Sequence, residues 1–187
     1  MFDLIANALS GLYGVVSNYA IAIALLHKPD LIVADEPTTA LDVTVQGQIL
    51  YEMQRLVRES GTALIWITHD LAVVAGLADR VAVMYAGRLV EEGLTDDVLD
   101  APLHPYTRGL LDSVPANAPP GGRLRQIPGM TPSIARLPEG CAFRERCPRA
   151  SEACSVQPER TLRAAGHAAG HAADRAVNRM VRCHHPL

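Results

Sequence analysis

Leu31-Ile32-Val33-Ala34-Asp35-Glu36-Pro37 is the stretch that decides the fold. Four consecutive apolar residues, closed by two carboxylates and a proline, fit a short strand buried on both faces, as in a parallel sheet. Upstream, Ala20–Leu26 reads as the end of a buried helix stopped by His27-Lys28-Pro29, because a proline disfavours helix at the residue before it. Downstream, Thr44 to Arg58 is helical. Val45, Ile49, Met53 and Leu56 fall near one face, Gln46, Gln48, Glu52, Arg55 and Glu59 point away, and Ser60-Gly61 ends the run. Thr62–Thr68 is a second buried strand, rich in β-formers and again closed by polar residues, His69-Asp70. Leu71–Ala78 predicts a short helix, and Arg80–Tyr85 with Arg88–Glu91 a hairpin across Ala86-Gly87. Thr95 suits an N-cap, with Asp96 and Asp97 on the first-turn dipole. Strand and helix alternate at the spacing of βαβ units in a parallel α/β sheet.

Of the 187 residues 49% are apolar, which excludes wholesale disorder, and only 4% are aromatic, which argues against a base-stacking nucleic-acid platform. The net charge of −3 hides an asymmetry. Residues 1–120 hold 6 basic and 15 acidic side chains, whereas residues 121–187 hold 11 and 5, so two parts with different jobs are expected. No charge occurs from Leu4 to Leu26, a membrane-spanning length. Asn7, Ser10, Gly11, Gly14, Ser17 and Asn18 interrupt it, so a buried helix is the expectation rather than a transmembrane one. The only charge before it is Asp3, so no cleaved signal is expected. After Ser113 prolines and glycines crowd the chain as far as Pro138, which reads as a linker or an extended wrap. Cys141 opens a compact tail, in which Ala164–Ala173 is a low-complexity Ala/Gly/His insert.

Two adjacent carboxylates at the carboxyl edge of a parallel sheet lie where ligands bind. On an extended chain they point in different directions, so Asp35 can hold Mg²⁺ while Glu36 orients or deprotonates a water. His69 ends the neighbouring strand and would share that edge, within reach of a terminal phosphate.

LIVADEPTTALDVTVQGQIL (31–50) and LIWITHDLAVVAGLADRVAVMYAGRLVEEG (64–93) resemble the second half of an ABC-transporter ATPase domain over about residues 20–115. The resemblance implies that Asp35 is the Walker B magnesium aspartate and Glu36 the catalytic glutamate. It makes Asp42 the D-loop aspartate at the seam between two ATPase subunits, and His69 the switch histidine on the γ-phosphate. HPYTRGLL (104–111), the proline-rich wrap and CAFRERCPRA (141–150) are similar to the C-terminal extension of the dipeptide/oligopeptide (and nickel) importer subfamily.

A phosphate cradle needs GxxxxGK[ST]. The single lysine here is Lys28, followed by Pro29, so these residues include no such loop. Leu9-Ser10-Gly11 stands where the family's signature sequence would begin, and Ser10 and Gly11 would then bind phosphate through backbone amides. The family continues with a second glycine and a Gln-Arg pair, whereas Leu12-Tyr13-Gly14-Val15-Val16-Ser17-Asn18-Tyr19 stands here.

All four cysteines, Cys141, Cys147, Cys154 and Cys183, lie in the basic tail. With no secretory signal they suit a reducing compartment and a metal, either Zn²⁺ or an iron–sulfur cluster. The spacing lacks CxxC pairs, and the peptide-importer resemblance implies a [4Fe–4S] cluster.

The fold expected is therefore α/β: a partial P-loop NTPase (ABC ATPase) domain with a parallel sheet core, plus a proline-rich, cysteine-containing C-terminal extension. The expected segments are an atypical N-terminal region 1–19, the ATPase half 20–113 and the extension 114–187. By resemblance the chain is an ATP- and Mg²⁺-using ATPase subunit energising peptide import, peripheral at the cytoplasmic face of the inner membrane. A second ATPase subunit and membrane-spanning permease subunits would be its partners, a substrate-binding protein an indirect one, and nucleic acid none. The alternative is a non-catalytic remnant that does not bind ATP by itself.

Overall fold

The computed structural model describes residues 28–38, 41–115, 124–164 and 178–187, together with Ile23. The chain divides into two compact units, Met1–Leu77 and Ala78–Leu187. Of the helix expected at Ala20–Leu26 only Ile23 is described; it is helical but 59% exposed rather than buried.

In the first unit, β1 (Leu31–Asp35) and β2 (Ala63–Ile67) pair in parallel, with Leu31 opposite Ala63 and Asp35 opposite Ile67. The crossover between them is α1 (Val43–Ser60), which buries Ile49 and Met53 from the expected apolar face. The Asp42 carboxylate caps its start, accepting from the Thr44 and Val45 N–H groups at 2.9 and 3.0 Å. Gly61 closes it at φ 69°, a left-handed conformation that glycine adopts without a Cβ clash. Ala63 N–H donates to Asp30 at 2.8 Å and Glu36 N–H to Ile67 at 2.9 Å, so the pairing extends past both strand ends. The short helix α2 (Leu71–Leu77) follows.

Burial on both faces does not hold for these strands. Leu31, Val33, Ile65 and Ile67 are 46–60% exposed, alternating with half-buried neighbours, because no described element covers that face. A two-stranded parallel pair stands where a filled parallel core was expected.

The second unit is built on the hairpin of β3 (Arg80–Tyr85) and β4 (Arg88–Leu94). Ala86 and Gly87 at its tip have φ 48° and 77°, as a two-residue turn with both central residues left-handed requires. The sheet order is β3-β4-β6-β5, all antiparallel, with β5 at Thr161–Ala164 and β6 at Asn178–Val181. Two helices, α3 (Thr95–Asp100) and α4 (Pro105–Asp112), follow the hairpin. Thr95 is not an N-cap: Leu94 holds that position, and the buried Thr95 hydroxyl donates to the Ala78 carbonyl at 2.6 Å. That bond ties the start of α3 to the entry of β3.

Val83, Tyr85, Val90, Val98 and Phe143 form the core of this unit, with Tyr106, Ile127, Cys141 and Cys147 packed against it. The proline-rich wrap and the cysteine tail therefore cover the hairpin. Arg146 fastens them: its guanidinium donates to the carbonyls of Pro128 (2.8 Å) and Ile127 (3.4 Å), to Thr131 Oγ1 (3.0 Å) and to Tyr85 Oη (3.2 Å).

Candidate functional site

β1 and β2 end side by side, and the residues just beyond them meet. His69 Nδ1 lies 2.7 Å from Glu36 Oε1. A parallel register that sets Asp35 against Ile67 brings the next residues of both strands to one edge. Glu36 holds φ 47°, a left-handed backbone that costs a non-glycine residue about 1–3 kcal/mol and clusters at functional sites. The His69 side chain is 80% exposed, so packing does little to orient it. Its pKa is raised, first by the hydrogen bond to Glu36 and then by that carboxylate's charge, with a smaller contribution from Asp70. A carboxylate only accepts, so Nδ1 carries the proton and Nε2 is left for another partner.

Asp35 is the exposed last residue of β1, an oxygen donor of the kind Mg²⁺ prefers. Asp42 is engaged in the N-cap of α1. Ser10 and Gly11 lie outside the described residues. Two residues not singled out from sequence join the network: Gln46 Nε2 donates to Asp70 Oδ2 at 3.4 Å, and Asp70 Oδ1 accepts from Ala72 N–H at 2.9 Å. An aspartate just before an apolar helical run is an N-cap signal, which could have identified Asp70.

The cysteines lie in the second unit. Cys141 N–H donates to the Cys154 carbonyl at 3.0 Å, and Cys183 Sγ accepts from His185 N–H at 3.3 Å. Burial is the main cause that raises the thiols of Cys141, Cys147 and Cys183, the last to about 11. Neighbouring thiols add to it, so Cys183 feels Cys147, Cys141 and Cys154. Even so, no group of three or more His, Cys, Asp or Glu among the described residues stands ready to hold a metal ion. The four-cysteine ligand set for iron–sulfur or zinc is thus not closed here, and burial favours the neutral thiol at Cys141, Cys147 and Cys183.

Among the described residues no helix is long and apolar enough to cross a membrane; Leu4–Leu26, where that question arose, lies outside them apart from Ile23.

Residues 90–154 match the family model described as "Oligopeptide/dipeptide transporter, C-terminal region". The oligopeptide transport ATP-binding protein OppD of Salmonella typhimurium is 53% identical over 145 residues, covering 78% of this chain and 43% of that protein. OppD of Escherichia coli is 54% identical over 145 residues, with the same coverage of 78% and 43%. The probable D,D-dipeptide transport ATP-binding protein DdpD of Escherichia coli is 50% identical over 148 residues, covering 79% of this chain and 45% of that protein. The chain thus spans less than half the length of these curated relatives. In the residues it matches, the chain belongs to the ATP-binding subunits of oligopeptide/dipeptide ABC transporters and corresponds to their C-terminal half.

Proposed function

We propose that this chain supplies the metal-carboxylate, water-activating and phosphate-contacting side of an ATP site in an ABC importer of oligopeptides or dipeptides. The observation that carries this reading is the 2.7 Å contact between Glu36 and His69 at neighbouring strand ends. ATP and Mg²⁺, when bound, supply the phosphoanhydride to be cleaved and neutralise its charge. Asp35 would hold the Mg²⁺. Glu36 accepts a proton from water as the water oxygen bonds to the terminal phosphorus and the bond to the leaving diphosphate breaks. His69 fixes Glu36 through Nδ1 and offers Nε2 to a phosphoryl oxygen. Its raised pKa favours the imidazolium, which donates from both nitrogens at once.

Asp42 takes its place at the seam with a second ATPase subunit, and Ser10 and Gly11 contribute backbone amides to phosphate. Residues 20–113 are the ATPase half, 1–19 a degenerate signature region and 114–187 the importer extension. The subunit sits peripherally at the cytoplasmic face of the inner membrane against permease subunits, with a substrate-binding protein as indirect partner. The relatives' names, which speak of oligopeptide and D,D-dipeptide transport, support the peptide class. The likeness of residues 90–154 to the C-terminal region of oligopeptide/dipeptide transporters supports a [4Fe–4S] cluster, or zinc, in the tail, where Cys141, Cys147, Cys154 and Cys183 would be the ligands.

The test is a chimera in which residues 28–187 replace the matching segment of a full-length OppD. Peptide-stimulated ATP hydrolysis should persist, and Glu36→Gln should abolish it while ATP still binds. Hydrolysis undiminished by Glu36→Gln would overturn the reading.

The absence of GxxxxGK[ST] from these 187 residues favours a second reading, that the chain by itself does not bind ATP. Micromolar affinity in a direct Mg-ATP titration would refute it.

A further inference from the structure

His69 is held by very little of its own. Its ring is 80% exposed, and among the described residues its side-chain hydrogen bond is the one to Glu36. Orientation of such a ring depends on the backbone that carries it, here Thr68-His69-Asp70. Asp70 anchors that backbone through its carbonyl, which accepts from Val74 N–H at 3.2 Å within α2, and through three further hydrogen bonds. Its N–H donates to Thr68 Oγ1 at 3.0 Å, Oδ1 accepts from Ala72 N–H at 2.9 Å, and Oδ2 accepts from Gln46 Nε2 at 3.4 Å. The first two bonds are local to the loop and to α2. The third alone reaches 24 residues back, to the first turn of α1. That turn is held by hydrogen bonds: Gln46 N–H donates to the Asp42 carbonyl at 2.9 Å, and the Asp42 carboxylate caps the N–H groups of Thr44 and Val45.

We propose that Gln46 is a positioning residue, which through Asp70 fixes the loop that presents His69 to Glu36. The proposal rests on the reading of Glu36 and His69 as the working pair of the site. A side chain on a packed helix that holds a loop residue next to a reactive group narrows the range over which that group wanders. A neutral glutamine suits the task, because its amide satisfies the Asp70 carboxylate without placing a second cation beside the imidazole. It also makes the first turn of α1, with Asp42, and the His69 loop one mechanical piece, so displacement of the turn is felt at the ring.

The experiment reads the ¹⁵N shifts of the His69 ring in the full chain, above the imidazole titration range. There the Glu36 carboxylate only accepts, so the wild-type ring shows the Nδ1-protonated pattern. Glu36→Ala is the reference for loss of that pattern. Gln46→Leu should move the His69 signals toward the reference. Gln46→Glu combined with Asp70→Asn should return them to wild-type values, since the asparagine amide then donates to the new carboxylate while its oxygen still caps α2. Ile49 and Met53 keep α1 packed in these variants. A wild-type pattern in Gln46→Leu, with loss in Glu36→Ala, would overturn the positioning role alone. A wild-type pattern in Glu36→Ala itself would overturn the Glu36–His69 pair, and the proposal with it.

Discussion

Glu91 of β4 and Arg179 of β6, each 1% exposed, stand 3.8 Å apart across neighbouring antiparallel strands. Both bond mainly to backbone, although Arg179 Nε has no hydrogen-bond partner among the described residues. Glu91 accepts from the N–H groups of Leu103 and His104 at 2.7 and 2.9 Å, at the entry to α4. Arg179 donates to the carbonyls of Asp97 and Ala101, at the exit of α3. The pair thereby locks the last strand of the chain and both short helices onto the hairpin.

Removing one partner leaves the other as a buried charge, so Arg179→Leu should cost about 3–5 kcal/mol of unfolding free energy. Arg179→Lys should recover only part of it, because an ammonium cannot fork to two separated carbonyls. Gly93→Ala tests the same lock from outside: a Cβ there lies 2.9 Å from Arg179 Cγ and Cδ and 3.0 Å from Val98 Cγ2. An overpacking cost of about 1–3 kcal/mol is expected. Urea midpoints check all three; an Arg179→Leu midpoint equal to wild type would remove the lock from the account.

Asp42 caps α1 and is also the residue that the family resemblance places at a subunit seam. The two roles separate by substitution. Asn caps about as well as Asp, so Asp42→Asn should leave the thermal midpoint unchanged, whereas Asp42→Ala should cost about 1 kcal/mol. If the seam needs the charge, Asp42→Asn in the OppD chimera lowers hydrolysis without lowering stability. Equal hydrolysis in Asp42→Asn and wild type would leave capping as its whole contribution.

The strand-end pair was readable from sequence because its determinants are local. LIVADEP and ITHD each announce a buried strand and its polar end, and a parallel register then brings Glu36 and His69 together. Exposure of Val33 and Ile65 was not readable, since an apolar run says that burial is favourable and not that a covering element is present. Strand β6 and Arg179 were missed for a different reason. They follow an Ala/Gly/His run and pair with residues almost 90 positions earlier, and no periodicity in Asn178–Val181 reports that register. Thr95 misled because N-cap residues are recognised by type, while its hydroxyl was used by a carbonyl 17 residues upstream.

His104 is 1% exposed, and burial lowers its pKa from 6.5 to about 4. Its ring Nδ1 accepts from Tyr106 N–H at 3.0 Å and caps α4, so protonation removes the cap's acceptor as well as placing a charge in the core. The folded state holds this imidazole neutral, so between pH 6.5 and about 4 the unfolded chain binds the extra proton. Its contribution is fully present above pH 6.5 and is lost as pH falls toward 4. A difference of that size corresponds to roughly 3 kcal/mol. His104→Asn keeps a capping oxygen that does not titrate here, so its unfolding free energy should fall less over the same window. Parallel pH dependences for wild type and variant would show that His104 does not carry the effect.

The cysteine tail makes the last prediction. Burial raises Cys141, Cys147 and Cys183, so the metal-free thiols stay neutral at pH 7.5 and should alkylate slowly with iodoacetamide. For Cys183 reactivity should rise steeply only as pH approaches about 11. A bound cluster or zinc would replace protons by cations, hold the thiols as thiolates at neutral pH and protect them from the reagent. On the proposed cluster, chain purified anaerobically contains iron and acid-labile sulfide and resists alkylation, and chelation after oxidation returns the slow, pH-dependent reaction of free thiols. Stoichiometric zinc without iron would exclude the cluster. Rapid alkylation of all four cysteines in the chain as purified would exclude both metals.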